Sequence, residues 1–376
     1  MINRMNGKMM KSIMELQFIK NLLVGLALFC ATASTWAGNP IPAEVVAKLN
    51  SSFKQDNIAL LSQTLAEADL PLNGRDGVVP LVLAAQNNAP KSLLWLLQQG
   101  ASVGQADAAG VSALYACALA EYKDGQLTRL LLRHQADIGQ TGSDNYNTLD
   151  AAMENRNRLF MQIALRHLLE QSVSKGSRLA LARLLDGGST ALPRLSKEAG
   201  GLLLNLAIVN GDAKLVARLL RQPEHHSLRQ KIDPNQSNRS GHYPLNLAAS
   251  WSEVAMVAQL LKAKARVDQQ SQNRYHTSAL MESTRDGKVE IAQMLLAHGA
   301  NVNLPDVHQD HALNWAVFFG RAPMVQLLLA HQADFRQVGQ QSNDNAMDIA
   351  IRQKVPEVIE LLQKAGAQAS KGGQKP

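Results

Sequence analysis

"LLLAHQADF" (residues 327–335) reads in isolation as an amphipathic helix running into a turn. Nearly the same nine residues occur twice more, as "LLLRHQADI" at 130–138 and "MLLAHGANV" at 294–302. A histidine stands at the same place each time: His134, His298 and His331. Either a chemical site is built three times or a structural unit is repeated, and the spacing of the surrounding residues decides between them.

Aligning the chain on the turn after each Leu-rich stretch puts Val46, Val79 and Ser112 at one position, 33 and 33 residues apart. Tyr243, Ser278, His311 and Asn345 take the same position further on, at spacings of 35, 33 and 34. A period near ~33 with room for two short helices and a turn marks a stacked repeat, in which no unit buries its apolar face alone. The first helix of each unit carries small residues, such as Ala84-Ala85 and Ala248-Ala249, and the second carries the Leu pair. Gly77, Gly110 and Gly241 fall two positions before a first helix, where a tight turn favours positive φ. The three histidines then end second helices, where orphan carbonyls and the helix dipole favour a donor. They are structural.

"VPLVLAA" (79–85), "YPLNLAA" (243–249) and "HALNWAV" (311–317), with "GANVN" (299–303), "QADI" (135–138) and "QADF" (332–335), resemble the ankyrin-repeat family. They stand where that family writes T-P-L-H-L-A-A and G-A-D-V-N. The resemblance runs from about Ala43 to Ala367 and implies an all-α solenoid of helix-turn-helix repeats with hairpin-like fingers. The family's histidine is replaced by Asn205, Asn246, Asn314, Asp150 or Asp348, short polar groups able to bond neighbouring turn backbone. Glu282 falls where an apolar residue is expected, which predicts a local shift of its helix. The expected organisation is N-terminal repeats over 38–146, a degenerate repeat with a helical insert over 147–200, C-terminal repeats over 201–368, and a disordered tail over 369–376. A longer loop is expected at 222–233.

The first 37 residues stand apart: Arg4, Lys8, Lys11 and Lys20, then the apolar run "LLVGLALFCA" (22–31), then "TASTWAG". That order reads as a secretory signal peptide cleaved after Ala37, with Ala33 as the second choice. The run is short for a permanent span, so no stable membrane insertion is expected after cleavage. Met9 and Met14 offer alternative starts. Cys30 has the bulky Phe29 before it, which disfavours lipidation. Export points to the periplasm of a Gram-negative bacterium.

Composition narrows function further. The net charge of +7 falls to about +4 without the signal, too mild for a nucleic-acid binder, and no such motif is present. Two cysteines, Cys30 and Cys117, exclude a disulfide framework and a cysteine zinc site. Cys117 falls on a small inner position, as a filler. No phosphate-binding loop, H-E-x-x-H or G-x-S-x-G is present, and S-x-x-K at 172–175 lacks its companion motifs. "PDVHQDH" (305–311) and His225-His226 gather possible metal donors, but register makes the former turn formers and finger-tip contacts. No enzyme, cofactor or metal is expected.

A repeat stack presents a concave face made of finger tips and the ends of first helices. Register places Arg239, His242, Arg274, Tyr275 and His308 at finger tips, with Val307 and Asp310 beside them. It places Trp251, Arg285, Phe318 and Phe319 at first-helix ends. The corresponding N-terminal positions, such as Gln86, Asn87, Ala108 and Ala109, are bland. Aromatics make up only 4% of the chain, and aromatic and Arg side chains are the usual interface anchors, so these nine residues are the expected partner-binding site. Between Asp150 and Lys231, 13 Arg or Lys face 7 Asp or Glu, which admits docking to an acidic partner or anionic membrane surface. Exported ankyrin-repeat chains look like immunity proteins that neutralise toxic type VI secretion effectors, notably phospholipases. The resemblance therefore implies a monomer that binds one protein partner. A second implication is a periplasmic protection or assembly factor for an enzyme such as catalase.

Overall fold

The structure is a computed structural model, and it describes residues 41–120, 124–142, 147–186, 195–221, 232–238, 241–251, 253–272, 275–340 and 344–369. The signal segment, Arg239, Arg274, His225, His226 and nearly all of the tail lie outside the described residues. Nineteen α-helices and no β-strand occur among those described; pairing is limited to isolated bridges such as Arg75–Val78 and Ala106–Ser112. The fold is an all-α repeat solenoid. Two compact units divide between Ser112 and Ala113, inside the expected 38–146 block.

The first unit holds two helix pairs: α1 (Ala43–Lys54) with α2 (Ile58–Glu67), and α3 (Pro80–Gln86) with α4 (Pro90–Gln98). The helices start where the sequence supplies a cap or a proline. Asn57 accepts from Leu60 N at 3.1 Å, and Pro80 and Pro90 occupy first-turn positions that need no N–H donor. Asp56 then accepts from Lys91 N and Ser92 N at 3.0 and 2.8 Å, tying the first pair to the second. Gly77 has φ +77°, and a Cβ there would lie 2.6 Å from Ala108 Cβ, so the finger turns against its neighbour only with glycine.

In the second unit α5 (Ala113–Leu119) pairs with α6 (Gln126–Arg133), and α7 (Thr148–Glu154) with a longer α8 (Arg158–Ser172). An additional helix α9 (Lys175–Leu185) precedes α10 (Lys197–Asn210) and α11 (Ala213–Leu220). Regular pairs follow: α12 (Pro244–Trp251) with α13 (Val254–Lys262), α14 (Ala279–Arg285) with α15 (Val289–Ala297), α16 (Ala312–Phe318) with α17 (Ala322–Ala330), and α18 (Ala346–Gln353) with α19 (Pro356–Lys364). The Leu pairs and small residues are buried together: Leu260, Ala248, Ala249, Leu295, Ala316 and Leu328 are fully enclosed.

Successive repeats are cross-linked by one recurrent bond. The side chain of Asn235 accepts from Arg266 N at 2.7 Å, Asp268 from Asn301 N at 2.9 Å, and Asn303 from Asp334 N at 2.8 Å. These are the polar residues of the G-A-D-V-N turn, and each bond is worth about 1 kcal/mol. The residues replacing the family's histidine behave similarly. Asn246 Nδ2 donates to Thr277 O at 2.7 Å, and Asp150 and Asp348 complete capping boxes with Asn147 and Asn345. Asn205 is the exception, buried with no side-chain partner among the described residues.

His134, His298 and His331 all occupy C-cap positions, and the His298 ring lies 2.8 Å from Met294 O. Cys117 is a buried filler whose thiol is pushed up to about 12 by burial. No helix among the described residues is long and apolar enough to cross a membrane.

Candidate functional site

The register delivers two groups of residues to different fates. Tyr275, His308, Phe318 and Phe319 come together in the second unit through a residue not singled out from the sequence, Trp315. Tyr275 meets His308 and Trp315 edge-on at 5.8 Å each, Trp315 meets Phe319 at 6.1 Å, and Phe319 meets Phe318 at 5.2 Å. Trp315 and Phe319 are four residues apart on one face of α16 and its C-cap, so helix geometry stacks them. The signal was available: Trp315 sits in "HALNWAV", where the repeat pattern invites it to be read as core.

The fingers position the upper end of this row. Val307 N donates to Tyr275 O at 3.1 Å and Gln340 N donates to His308 O at 2.7 Å, so three successive fingers share backbone bonds. Asp306 accepts from His308 N and Asp310 N at 2.8 and 2.9 Å, closing the finger turn, and from Trp315 Nε1 at 3.0 Å. His311 is buried and its Nε2 lies 2.7 Å from Asp334 O; burial holds its ring below the usual histidine range. The donors of "PDVHQDH" are thus turn and stacking groups, and no group of three or more His, Cys, Asp or Glu among the described residues is arranged for a metal. Phe318 ends the row 52% exposed, an unusual position for a large apolar side chain in this chain.

Arg285 flanks the row, its guanidinium 5.4 Å from the Trp315 ring centre. It is held from behind by Glu282, whose Oε2 lies 3.8 Å from Arg285 Nη2 and whose Oε1 accepts from Thr277 Oγ1 at 2.7 Å. Burial alone would push the Glu282 carboxyl up. Arg285, Arg156 and the Thr277 hydroxyl outweigh it and leave the group below its ordinary value. The expected shift of this helix is thereby corrected: α14 keeps its place because Glu282 is charged and compensated.

His242 and Trp251 correct the expected site. His242 is fully buried, its Nε2 2.7 Å from Asp150 Oδ1, and Trp251 is 9% exposed. His242 is covered from the first turn of α7, and Trp251 from the α7–α8 turn and the start of α8. Arg156 Nη1 donates to the Ser250 carbonyl and, at 2.6 Å, to Ser250 Oγ, while Nη2 pairs with Asp286 at 2.8 Å. Arg158 pairs with Glu253 at 2.8 Å, and the two guanidinium carbons lie 5.9 and 5.3 Å from the Trp251 ring centre. Trp251 is consumed by internal arginines. Arg166 and His167 of the basic stretch, with Arg129, Arg133 and Glu170, line a cavity of about 470 Å³.

Residues 204–306 match the family model for ankyrin repeats in three copies. That stretch is built of ankyrin repeats. The chain is similar to the nuclear factor NF-kappa-B p105 subunit of Gallus gallus, 26% identical over 200 residues, which is 52% of this chain and 19% of that protein. It is 30% identical over 122 residues to the human ankyrin repeat and SOCS box protein 6, covering 32% of this chain and 28% of that protein. It is 24% identical over 316 residues to the E3 ubiquitin-protein ligase KEG of Arabidopsis thaliana, covering 80% of this chain and 18% of that protein. The chain therefore spans less than a third of the length of each of these relatives. Ankyrin repeats are protein-interaction modules, and the aromatic row borders fingers on the edge of the matched stretch and beyond it.

Proposed function

We propose that this chain is a non-enzymatic, exported scaffold that captures one protein partner on the row Tyr275–Trp315–Phe319–Phe318 and neutralises it. The observation carrying the reading is Phe318, 52% exposed at the end of an otherwise packed aromatic row, in a chain with 4% aromatic residues. Exposed aromatics backed by rigid neighbours and a stacked arginine are what interface anchors require, because little side-chain entropy is lost on contact. Basic, apolar and small residues in order over the first 37 positions support periplasmic residence after cleavage at Ala37. Within that compartment, the likeness of exported ankyrin chains to immunity proteins favours a phospholipase-type type VI effector as partner.

The experiment has two arms. In competition, deletion of the gene leaves cells sensitive to attack by the parent strain, and deletion without effect sinks the immunity reading. In a periplasmic pull-down, Phe318→Ala lowers partner affinity by about 30-fold, as expected for an anchor worth ~2 kcal/mol. Unchanged recovery refutes the face. A recovered catalase instead of a lipase assigns the chain to enzyme protection.

A further inference from the structure

The charges around the aromatic row do not balance, and the imbalance points to the partner's chemistry. Among the described residues, each arginine bordering the row is engaged. Arg285 is held by Glu282 and Trp315. Arg321 donates from Nε and Nη2 to Arg285 O at 3.1 and 3.0 Å, and Arg352 pairs with Asp344. Among the acids, Asp344 has Arg352, and Asp306 accepts from two backbone N–H groups and the Trp315 indole. Asp310 is different. Its carboxylate accepts from the neutral Asn314 amide at 3.1 Å and has no Lys or Arg partner among the described residues. It is half-buried, with the Asp306 and Asp344 carboxylates and the His308 ring as its titratable neighbours and its Oδ1 beside Gly339 of the next finger.

Asp310 is linked to the exposed phenyl through α16. Asn314, which holds it, lies one helical turn before Phe318 on α16, a rise of about 6 Å. Val307, 42% exposed on the same finger as Asp310, adds an apolar group. The face thus offers an unmatched carboxylate and an apolar anchor roughly one turn apart.

We infer that the partner segment docking here is basic and apolar, with a Lys or Arg meeting Asp310 and an apolar side chain roughly 6–7 Å away covering Phe318. An extended strand provides that spacing at i, i+2 and a helix at i, i+4. The inference rests on the aromatic row being the docking face, and it adds the sign of the charge. An acidic segment is disfavoured by the Asp310 carboxylate, whereas a cation gains a charge-assisted bond in a partly desolvated position.

The test is selection of a random dodecapeptide display library on the purified full chain, in parallel with Asp310→Asn and Phe318→Ala. Wild type is expected to enrich peptides with Lys or Arg two or four positions from an apolar residue. Resynthesised peptides should bind each variant about tenfold more weakly, and the wild type more weakly as salt is raised. Thermal melts confirm that both variants fold. Enrichment of acidic or uncharged peptides that still depends on Phe318 overturns the charge assignment while leaving the face. Enrichment indifferent to both substitutions, or none at all, overturns the face and the inference together.

Discussion

Removing the Glu282 carboxylate is the most informative single perturbation of this molecule. Glu282 is 1% exposed and faces two guanidinium groups, those of Arg285 and Arg156, whose own charges are only partly offset by Asp286. Glu282→Ala leaves buried positive charge uncompensated and removes the carboxylate acceptor of the Thr277 hydroxyl, which keeps its bond to Ser271 Oγ. The change costs about 3–5 kcal/mol. For a unit of this size that lowers Tm by roughly 6–20 °C. Replacing Glu282 with Leu and Arg285 with Met, which leaves Arg156 paired with Asp286, should recover part of the loss, since the apolar pair avoids desolvating those two ions.

The pH dependence supplies an independent sign. The Glu282 carboxyl is held below its unfolded value of 4.5, so its contribution is present above that pH. It is lost as pH falls through the folded value. Urea unfolding of wild type and Glu282→Gln should therefore diverge at neutral pH and converge once acidification protonates the folded-state carboxyl. A Glu282→Ala variant within 1 kcal/mol of wild type at pH 7, or a double Glu282→Leu, Arg285→Met variant less stable than the single one, refutes the compensated-ion account.

Two further expectations follow from the fingers. Burial first, and then the neighbouring Asp306, raise Asp310 to about 6, above its unfolded 3.8, so its ionisation opposes folding and stability falls as pH rises between those values. Asp310→Asn should raise Tm at pH 7.5 and leave it unchanged near pH 3.5, a stability cost that a binding residue can carry; an equal shift at both pH values contradicts this. Gly77→Ala, at φ +77° and 2.6 Å from Ala108 Cβ, should cost the first unit about 1–3 kcal/mol in urea unfolding, and a neutral result would show that the fingers do not constrain each other.

The repeat was readable because its determinants are local. Helix period, capping residues and the G-A-D-V-N turn each act within a few positions, and Gly77, Gly110 and Gly241 all adopt the positive φ that their place in the turn implies. Register also brought Tyr275, His308, Phe318 and Phe319 to one row. It failed for His242 and Trp251 because their exposure is decided by Asp150, Arg156 and Arg158, which come from α7, the turn after it and the start of α8, more than 90 residues earlier. Periodicity reports where a residue sits in its own unit, and says nothing of side chains arriving from another. Glu282 was misjudged for the same reason. Its compensation comes from Thr277 and Arg285 nearby but also from Arg156 far upstream.

Those arginine ties change how the chain must assemble. In an ordinary repeat array each layer needs only its neighbour, so folding propagates from any starting point at small loop-closure cost. Here the turn between α7 and α8 completes its bonds only when Ser250, Glu253 and Asp286 have arrived. Nascent or truncated chains ending before that point carry guanidinium groups without these partners, so limited proteolysis should find the α7–α8 turn among the last parts of the second unit to be protected.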